Sequence, residues 1–402
     1  MPEIQSELLN REHSLWPATT VTKSDSSYIP FNRFCKTGME FHYIQQAIDE
    51  MHVSGNGRFT KLCHALLEEM LRAPKVLLTT SCTDALEMAA LLLDVQPGDE
   101  VILPSFTFVS TASAFALRGA RPVFIDIRPD TLNLDETLLE RAITPRTKAI
   151  VPVHYAGVGC EMDAILEIAR RHGVPVVEDN AHGLLGKYKG RNLGTFGCLA
   201  TQSFHETKNF TCGEGGALVI NDVRYSEQAE IIRDKGTDRS RFVRGQVDKY
   251  TWVGLGSSYL PSDILAAILC AQLESRELIQ SQRRQIWERY NMRLRDWAAS
   301  YGVGRPVVPP QCQQPFHMFY LLLPSEGSRA RLIQHLKARN ILSVFHYLPL
   351  HLSEMGLRLA GRACSCPVTE DVSSRLLRLP FYNGLTETEQ GRVIRAIQEF
   401  EP

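Results

Sequence analysis

From 75 to 220 the chain alternates short, continuously apolar runs with stretches of helical periodicity, and this alternation restricts its possible folds more than any other feature. The runs are KVLLTT, EVILP, PVFID, KAIVPVH, VPVVED and ALVIND, and helices are predicted across 85–93, near 109–117 and near 162–171. Strands this short and this apolar suit burial on both faces, and crossovers of helical length join parallel neighbours. The expected fold class is therefore α/β with a mostly parallel sheet. After Tyr225 the pattern turns helical, with one long candidate over 262–299. FYLLLP, ILSVFHY and helices near 329–337 and 387–399 then predict a smaller α+β unit. This divides the chain into a flexible extension over 1–28, a large domain over 29–275 and a small C-terminal domain over 276–402.

Composition narrows the partners. The 402 residues carry a formal net charge of -1 and no long Lys/Arg run, which argues against nucleic acid or an anionic membrane surface and for a small-molecule substrate. Ten cysteines are scattered without a CxxC pair. Cys364 and Cys366 have no matching second pair, so neither a metal site nor a disulfide framework is expected. The N-terminal MPEIQSELLNREHSLWPATT is polar and acidic, unlike a signal peptide, and the longest apolar stretches, such as 89–93, fall far short of the roughly 20 residues a membrane helix needs. A cytoplasmic protein is expected.

In open parallel sheets, ligands bind beyond the carboxyl ends of the strands. Four such places carry polar or aromatic residues. After KVLLTT, Ser81, Cys82, Thr83 and Asp84 open a helix, offering hydroxyls, free N–H groups and a favourable dipole to a phosphate; a plain N-cap would look the same. After VPVVE comes Asp179, then His182. A carboxylate at the end of a buried strand needs a cation or several donors; a protonated pyridine nitrogen, a metal, a ribose or a helix cap would each serve. Ser203 and Lys208, in SFHETKN, precede Gly213-Glu214-Gly215-Gly216. An amine partly desolvated there would form a Schiff base with an aldehyde, whereas most lysines are solvated surface charges. The glycine run lacks the G-x-x-x-x-G-K-[ST] spacing of a Walker loop. Finally, Ser105-Phe106-Thr107-Phe108 sets aromatic rings past EVILP, for stacking on a flat ligand or for packing in the core.

Taken together, the order VVEDNAH, SFHETKN and GEGG resembles the DegT/DnrJ/EryC1/StrS sugar aminotransferases, with likeness running from about Ile29 to the C-terminus. That resemblance implies a fold-type I enzyme dependent on pyridoxal 5'-phosphate (PLP). IPFN, SGNGRFTK, GDEVILPSFTFVSTA, RGQVDKYTW, GSSYL and FHYLPLH are most similar to the branch of dTDP-4-amino-4,6-dideoxygalactose transaminases. By resemblance, the substrates would be L-glutamate and dTDP-4-dehydro-6-deoxyglucose, and the active unit a homodimer with its sites at the subunit interface. Lys208 would hold the cofactor and move protons, Asp179 would pair with the pyridine nitrogen, Phe108 would stack on the ring and His182 would lie beside it. Ser203, Cys82 and Thr83, with Ser81 near by, would hold the phosphate. His154, Tyr155, His346 and Tyr347 are candidates for sugar or nucleotide contacts. Two positions depart from the family pattern: Cys82, where many members carry Gly or Ala, and Leu260, where many carry Asn. Two rivals are weighed against this reading, and a third is set aside for want of its motif. A PLP-dependent sugar dehydratase typically has His at the lysine position, a regulatory paralogue would have lost the cofactor, and a nucleotide-binding dehydrogenase would need a G-x-G-x-x-G after its first strand.

Overall fold

The structure, a computed structural model, describes residues 28–360 and 364–402. The flexible extension expected over 1–28 lies, except for Tyr28, outside the described residues. The strands are β1 (Lys75–Thr79), β2 (Glu100–Pro104), β3 (Arg121–Ile125), β4 (Thr147–Ile150), β5 (Val177–Asp179), the hairpin β6 (Lys187–Tyr188) and β7 (Arg191–Asn192), β8 (Leu199–Ser203) and β9 (Gly216–Ile220). Ladders join β1-β9-β8-β5 and β3-β2-β4. The parallel bridges Ile150↔Val176 and Val153↔Asp179 stitch the two groups side by side, giving the spatial order β1-β9-β8-β5-β4-β2-β3. Within this seven-stranded sheet every pairing is parallel except those of β9, which runs antiparallel between β1 and β8.

Helices cover both faces, as strands with no polar side require. Helix Cys82–Leu92 lies on one face, where Ala85, Met88, Ala89 and Ala90 join Leu77, Leu218 and Ile220 in one core. On the other, Glu40–Asp49, Arg58–Leu71 and Asp263–Glu274 pack with Leu78, Ala200 and Val219. β8 has no apolar run to announce it: Thr201 and Gln202 are polar yet buried.

The single helix expected over 262–299 is three: Asp263–Glu274, Arg276–Arg293 and Arg295–Ser300. The first buries Ala266, Leu269 and Cys270 against the large sheet, whereas the second buries Ile286, Trp287 and Tyr290 in a different core. One straight helix cannot turn its apolar stripe to two cores, and the break falls at Ser275. β10 (Cys312–Gln313) pairs with β6, and the second core is built on the sheet of β11 (Tyr320–Leu322), β12 (Val344–Phe345) and β13 (Leu376–Arg378), in the order β11-β13-β12. Ile29, expected to open the larger domain, belongs instead to this core and bridges Ile341.

Successive side chains of a strand point to opposite faces, so Glu178 and Asp179 diverge. Glu178 is fully buried and accepts from the backbone N–H groups of Gly194 (2.8 Å), Phe196 (2.6 Å) and Gly197 (2.8 Å), and from His154 Nε2 (2.9 Å). It thereby fixes the turn that delivers the chain into β8. Glu178→Leu should leave these donors unsatisfied and lower unfolding stability by about 3 kcal/mol or more. Glu178→Gln, which keeps one acceptor, should lose less; urea denaturation of the two variants checks both.

Candidate functional site

Gly216, first residue of β9, lies directly beneath the Ser81–Cys82 peptide. A Cβ built there would come 2.3 Å from the Ser81 carbonyl carbon and 2.4 Å from the Cys82 nitrogen. The last glycine of GEGG is thus needed for close approach of two backbones. It brings the start of helix Cys82–Leu92 onto β9, and Ser203 pairs in register with Gly216 from the other side. Ser81 Oγ caps the helix by accepting from Asp84 N (3.0 Å), Thr83 Oγ1 lies 2.8 Å from Ser110 Oγ, and Cys82 Sγ donates to Thr201 Oγ1 (3.5 Å). Burial pushes the Cys82 thiol up to about 12, so it stays protonated and does not compete as a nucleophile.

Asp179, 5% exposed, ends β5. Thr111 Oγ1 donates to its Oδ2 (2.7 Å) and Ala181 N to its Oδ1 (3.2 Å). Thr111 is a residue the sequence reading did not single out, although it stands in the SFTFVSTA segment. His182 is buried, stacks on His317 at 4.3 Å between ring centres, and its Nδ1 has no hydrogen-bond partner. His317 Nδ1 donates to Asn209 Oδ1 (2.9 Å), and Asn209 Nδ2 donates to Pro315 O (2.7 Å), so the residue after Lys208 braces the histidine pair. Burial holds both histidines neutral, well below their ordinary range.

Lys208 sits in the turn between β8 and β9, its N–H donating to His205 O (2.9 Å). Desolvation pulls its amine down from 10.5 to about 8; the neighbouring Cys82 and Asp179 push it up, and Arg378 pulls it down further. Lys208 thus lies within electrostatic reach of the strand-end acid and the helix start.

Aromatic rings roof the cleft. Phe106 is buried, with ring centres 5.0 Å from Tyr155 and 5.6 Å from Tyr347, and His346 stacks on Tyr347 at 3.6 Å. Phe108 is 57% exposed and stands 6.3 Å from Tyr347 at the mouth. Tyr155, His346 and Tyr347 therefore share one cluster with His182, whose ring lies 5.9 Å from Tyr155. His154 does not: its Nδ1 accepts from Cys160 N (3.2 Å) and its Nε2 donates to Glu178, so it is a buried strut and no substrate contact. Arg378, also absent from the sequence reading, donates to His346 Nε2 (2.8 Å). Its only trace in the sequence is a charge inside the apolar run LLRLPF.

An amine near neutrality, a strand-end carboxylate, an unpartnered ring nitrogen on His182 and a helix start laid on a glycine suit PLP, which carries an aldehyde, a pyridine nitrogen, a ring hydroxyl and a phosphate. The class is that of PLP-dependent enzymes of fold type I. The DegT/DnrJ/EryC1/StrS aminotransferase family matches residues 35–398, and the chain belongs to it. It is 34% identical over 363 residues to a pleiotropic regulatory protein of Geobacillus stearothermophilus, with 89% of this chain and 94% of that protein covered. The aminotransferase TlmJ from Streptoalloteichus hindustanus superposes with a TM-score of 0.84 at 30% identity, over 92% of this chain and 98% of TlmJ. Spr1654 from Streptococcus pneumoniae, solved in its PLP form, gives 0.85 at 26% identity over 92% and 98%, and has also been solved in a PMP form. No helix among the described residues is long and apolar enough to cross a membrane.

The amine of Lys208 must be uncharged to capture an aldehyde. With its titration near 8, about half is free at pH 8, against about 0.3% for an ordinary lysine. The rate at which the cofactor-free protein captures PLP should therefore rise with pH and level off a little above pH 8. A rate still climbing steeply between pH 9 and 10.5 would contradict the burial of this amine.

Proposed function

We propose that this PLP-dependent sugar aminotransferase passes the amino group of L-glutamate to C4 of dTDP-4-dehydro-6-deoxyglucose, giving a dTDP-4-amino-4,6-dideoxyhexose and 2-oxoglutarate. The observation that carries the reading is the depressed amine of Lys208 in electrostatic reach of Asp179 at the sheet edge. When bound, PLP supplies an aldehyde that takes up amino groups and a ring that accepts an electron pair. Asp179, oriented by Thr111 Oγ1, would pair with the pyridine nitrogen and keep it protonated. His182, through its free Nδ1, and Phe108 would contact the ring, and Ser81, Cys82, Thr83 and Ser203 would hold the phosphate at the helix start.

Lys208 Nζ is the amine that would hold the aldehyde. The free amine of Lys208 would take the proton from Cα of glutamate in the first half and deliver one to C4 of the sugar in the second. Two such halves through one pocket give ping-pong kinetics. The aromatic roof of Phe106, Tyr155 and Tyr347 supports a ring-shaped acceptor. A homodimer is the proposed working unit: Tyr250, Trp252, Val253 and Leu255 stand exposed in one segment, an apolar surface that a second copy would cover.

The PLP-loaded protein should be yellow. Glutamate should bleach the band, dTDP-4-dehydro-6-deoxyglucose should restore it, and NMR of the product should show nitrogen at C4. A band that bleaches but never returns with this sugar would leave the aminotransferase standing and remove the substrate. Lys208→Ala should lower turnover by about 10³-fold or more; full turnover by that variant, measured as 2-oxoglutarate released, would refute the role of Lys208.

A further inference from the structure

Ser105, His351 and Glu370 form a largely buried relay that the reaction above does not use. Ser105 Oγ lies 2.6 Å from His351 Nδ1, and His351 Nε2 lies 3.1 Å from Glu370 Oε1. Ser105 is fully buried and His351 is 4% exposed, so neither is placed to touch a substrate. A carboxylate only accepts, so Nε2 carries the ring proton and Nδ1 accepts from the Ser105 hydroxyl. The same hydroxyl oxygen accepts from His351 N (3.2 Å), and Ser105 O accepts from Leu350 N (3.1 Å). Residues 350–351 are thus tied to the end of β2 through backbone and side chain together. Glu370 is held in its turn. Its helix, Pro367–Arg375, is fastened to the end of β3 by Asp126, which accepts from Val368 N (2.9 Å), Thr369 N (2.8 Å) and Thr369 Oγ1 (2.8 Å).

What the tie holds is the roof of the cleft. The strap from His346 to Leu350 is pinned at both ends, by the β12–β13 ladder and Arg378 on the His346 side and by Ser105 on the His351 side. Ser105 leads directly into Phe106, whose ring centre lies 5.6 Å from that of Tyr347 in the strap. One anchor therefore sets both rings. We propose that His351 is a positioning residue for the amino acceptor: through Ser105 it fixes the pose of Tyr347 against Phe106, and with it the surface on which the ring of the keto sugar rests. This inference rests on the acceptor reading above. Glutamate is an open chain and makes less use of such a surface. The His346 end of the strap also keeps its own fastening when the other end is cut, so loosening at His351 frees Tyr347 more than His346.

The test follows the two half-reactions of the PLP-loaded protein by absorbance, in wild type and in His351→Gln, whose amide reaches towards Glu370 but gives Ser105 no acceptor. The keto-sugar concentration that half-restores the band should rise about 10-fold or more, and the glutamate concentration that half-bleaches it should change by no more than about threefold. His351→Asn sets an oxygen near the place of Nδ1 and should recover most of the loss, which a merely structural defect would not show. Ser105→Ala should match His351→Gln, and carries the comparison should that variant not fold. The double variant should be no worse than either single one, because all three lack the same bond. Equal losses in both halves, an unchanged sugar half, or no recovery in His351→Asn overturns the inference alone. A wild-type band that glutamate bleaches and the keto sugar never restores overturns the acceptor reading and this inference together.

Discussion

The contact between Gly216 and the Ser81–Cys82 peptide is the constraint on which the site depends. Only a residue without Cβ lets β9 start under the beginning of helix Cys82–Leu92, and the register of β9 then sets Ser203 opposite Gly216. The same ladder places the turn that carries Lys208 over the end of β8, one strand from Asp179 on β5. Widening this contact by one carbon would shift the helix start relative to both. The antiparallel course of β9 follows from the same geometry. The chain must leave β8 at the carboxyl edge, place its lysine there and return at once, and a hairpin-like return is antiparallel.

Much of this was legible in the sequence because burial on two faces leaves a strong mark. KVLLTT, EVILP and PVFID are strands as read, and the residues just past them lie at one edge. VVED showed two consecutive acids at a strand end, but nothing in a sequence separates Glu178, which ties down a turn, from Asp179, which faces the cleft. That difference arises from strand alternation and from donors at Gly194, Phe196 and Gly197 that reach back from a later turn. His154 illustrates the opposite error. Beside Tyr155 at the end of a strand it reads as a ligand-facing residue, yet its partner is Glu178, which is likewise buried. The helix over 262–299 was overextended for a related reason. Periodicity reports that an apolar stripe exists, not which core it faces, and two cores ended the helix at Ser275.

The residues missed are those whose roles depend on long-range pairing. Thr111 matters because it meets Asp179, His317 because it stacks on His182, and Arg378 because β13 brings it behind His346. His317 and Arg378 come from segments with no local feature of a site, and Thr111 from a segment read only for its aromatic rings. Ile29 is a further case: strand-like and early in the chain, it bridges Ile341 and sits in the later core, a pairing over more than three hundred positions that no window of sequence reports.

Hydrogen-bond direction through the roof of the cleft is set from one end. A guanidinium can only donate, so His346 Nε2 must be the acceptor of the bond from Arg378. Burial, and next the charge of Arg378, hold His346 well below its ordinary range, so it is neutral and its proton resides on Nδ1. Nδ1–H therefore donates to the Tyr155 oxygen 3.2 Å away. With that lone pair engaged, the hydroxyl proton of Tyr155 is free to point elsewhere, and its pKa, raised by burial, keeps it in place. Arg378 thus acts twice with one bond: it presents a cation to the cleft, and through His346 it turns Tyr155 into a donor. Replacing Arg378 with a residue that accepts would let His346 carry its proton on Nε2 and would reverse the polarity of the chain, although every heavy atom beyond it stayed where it was.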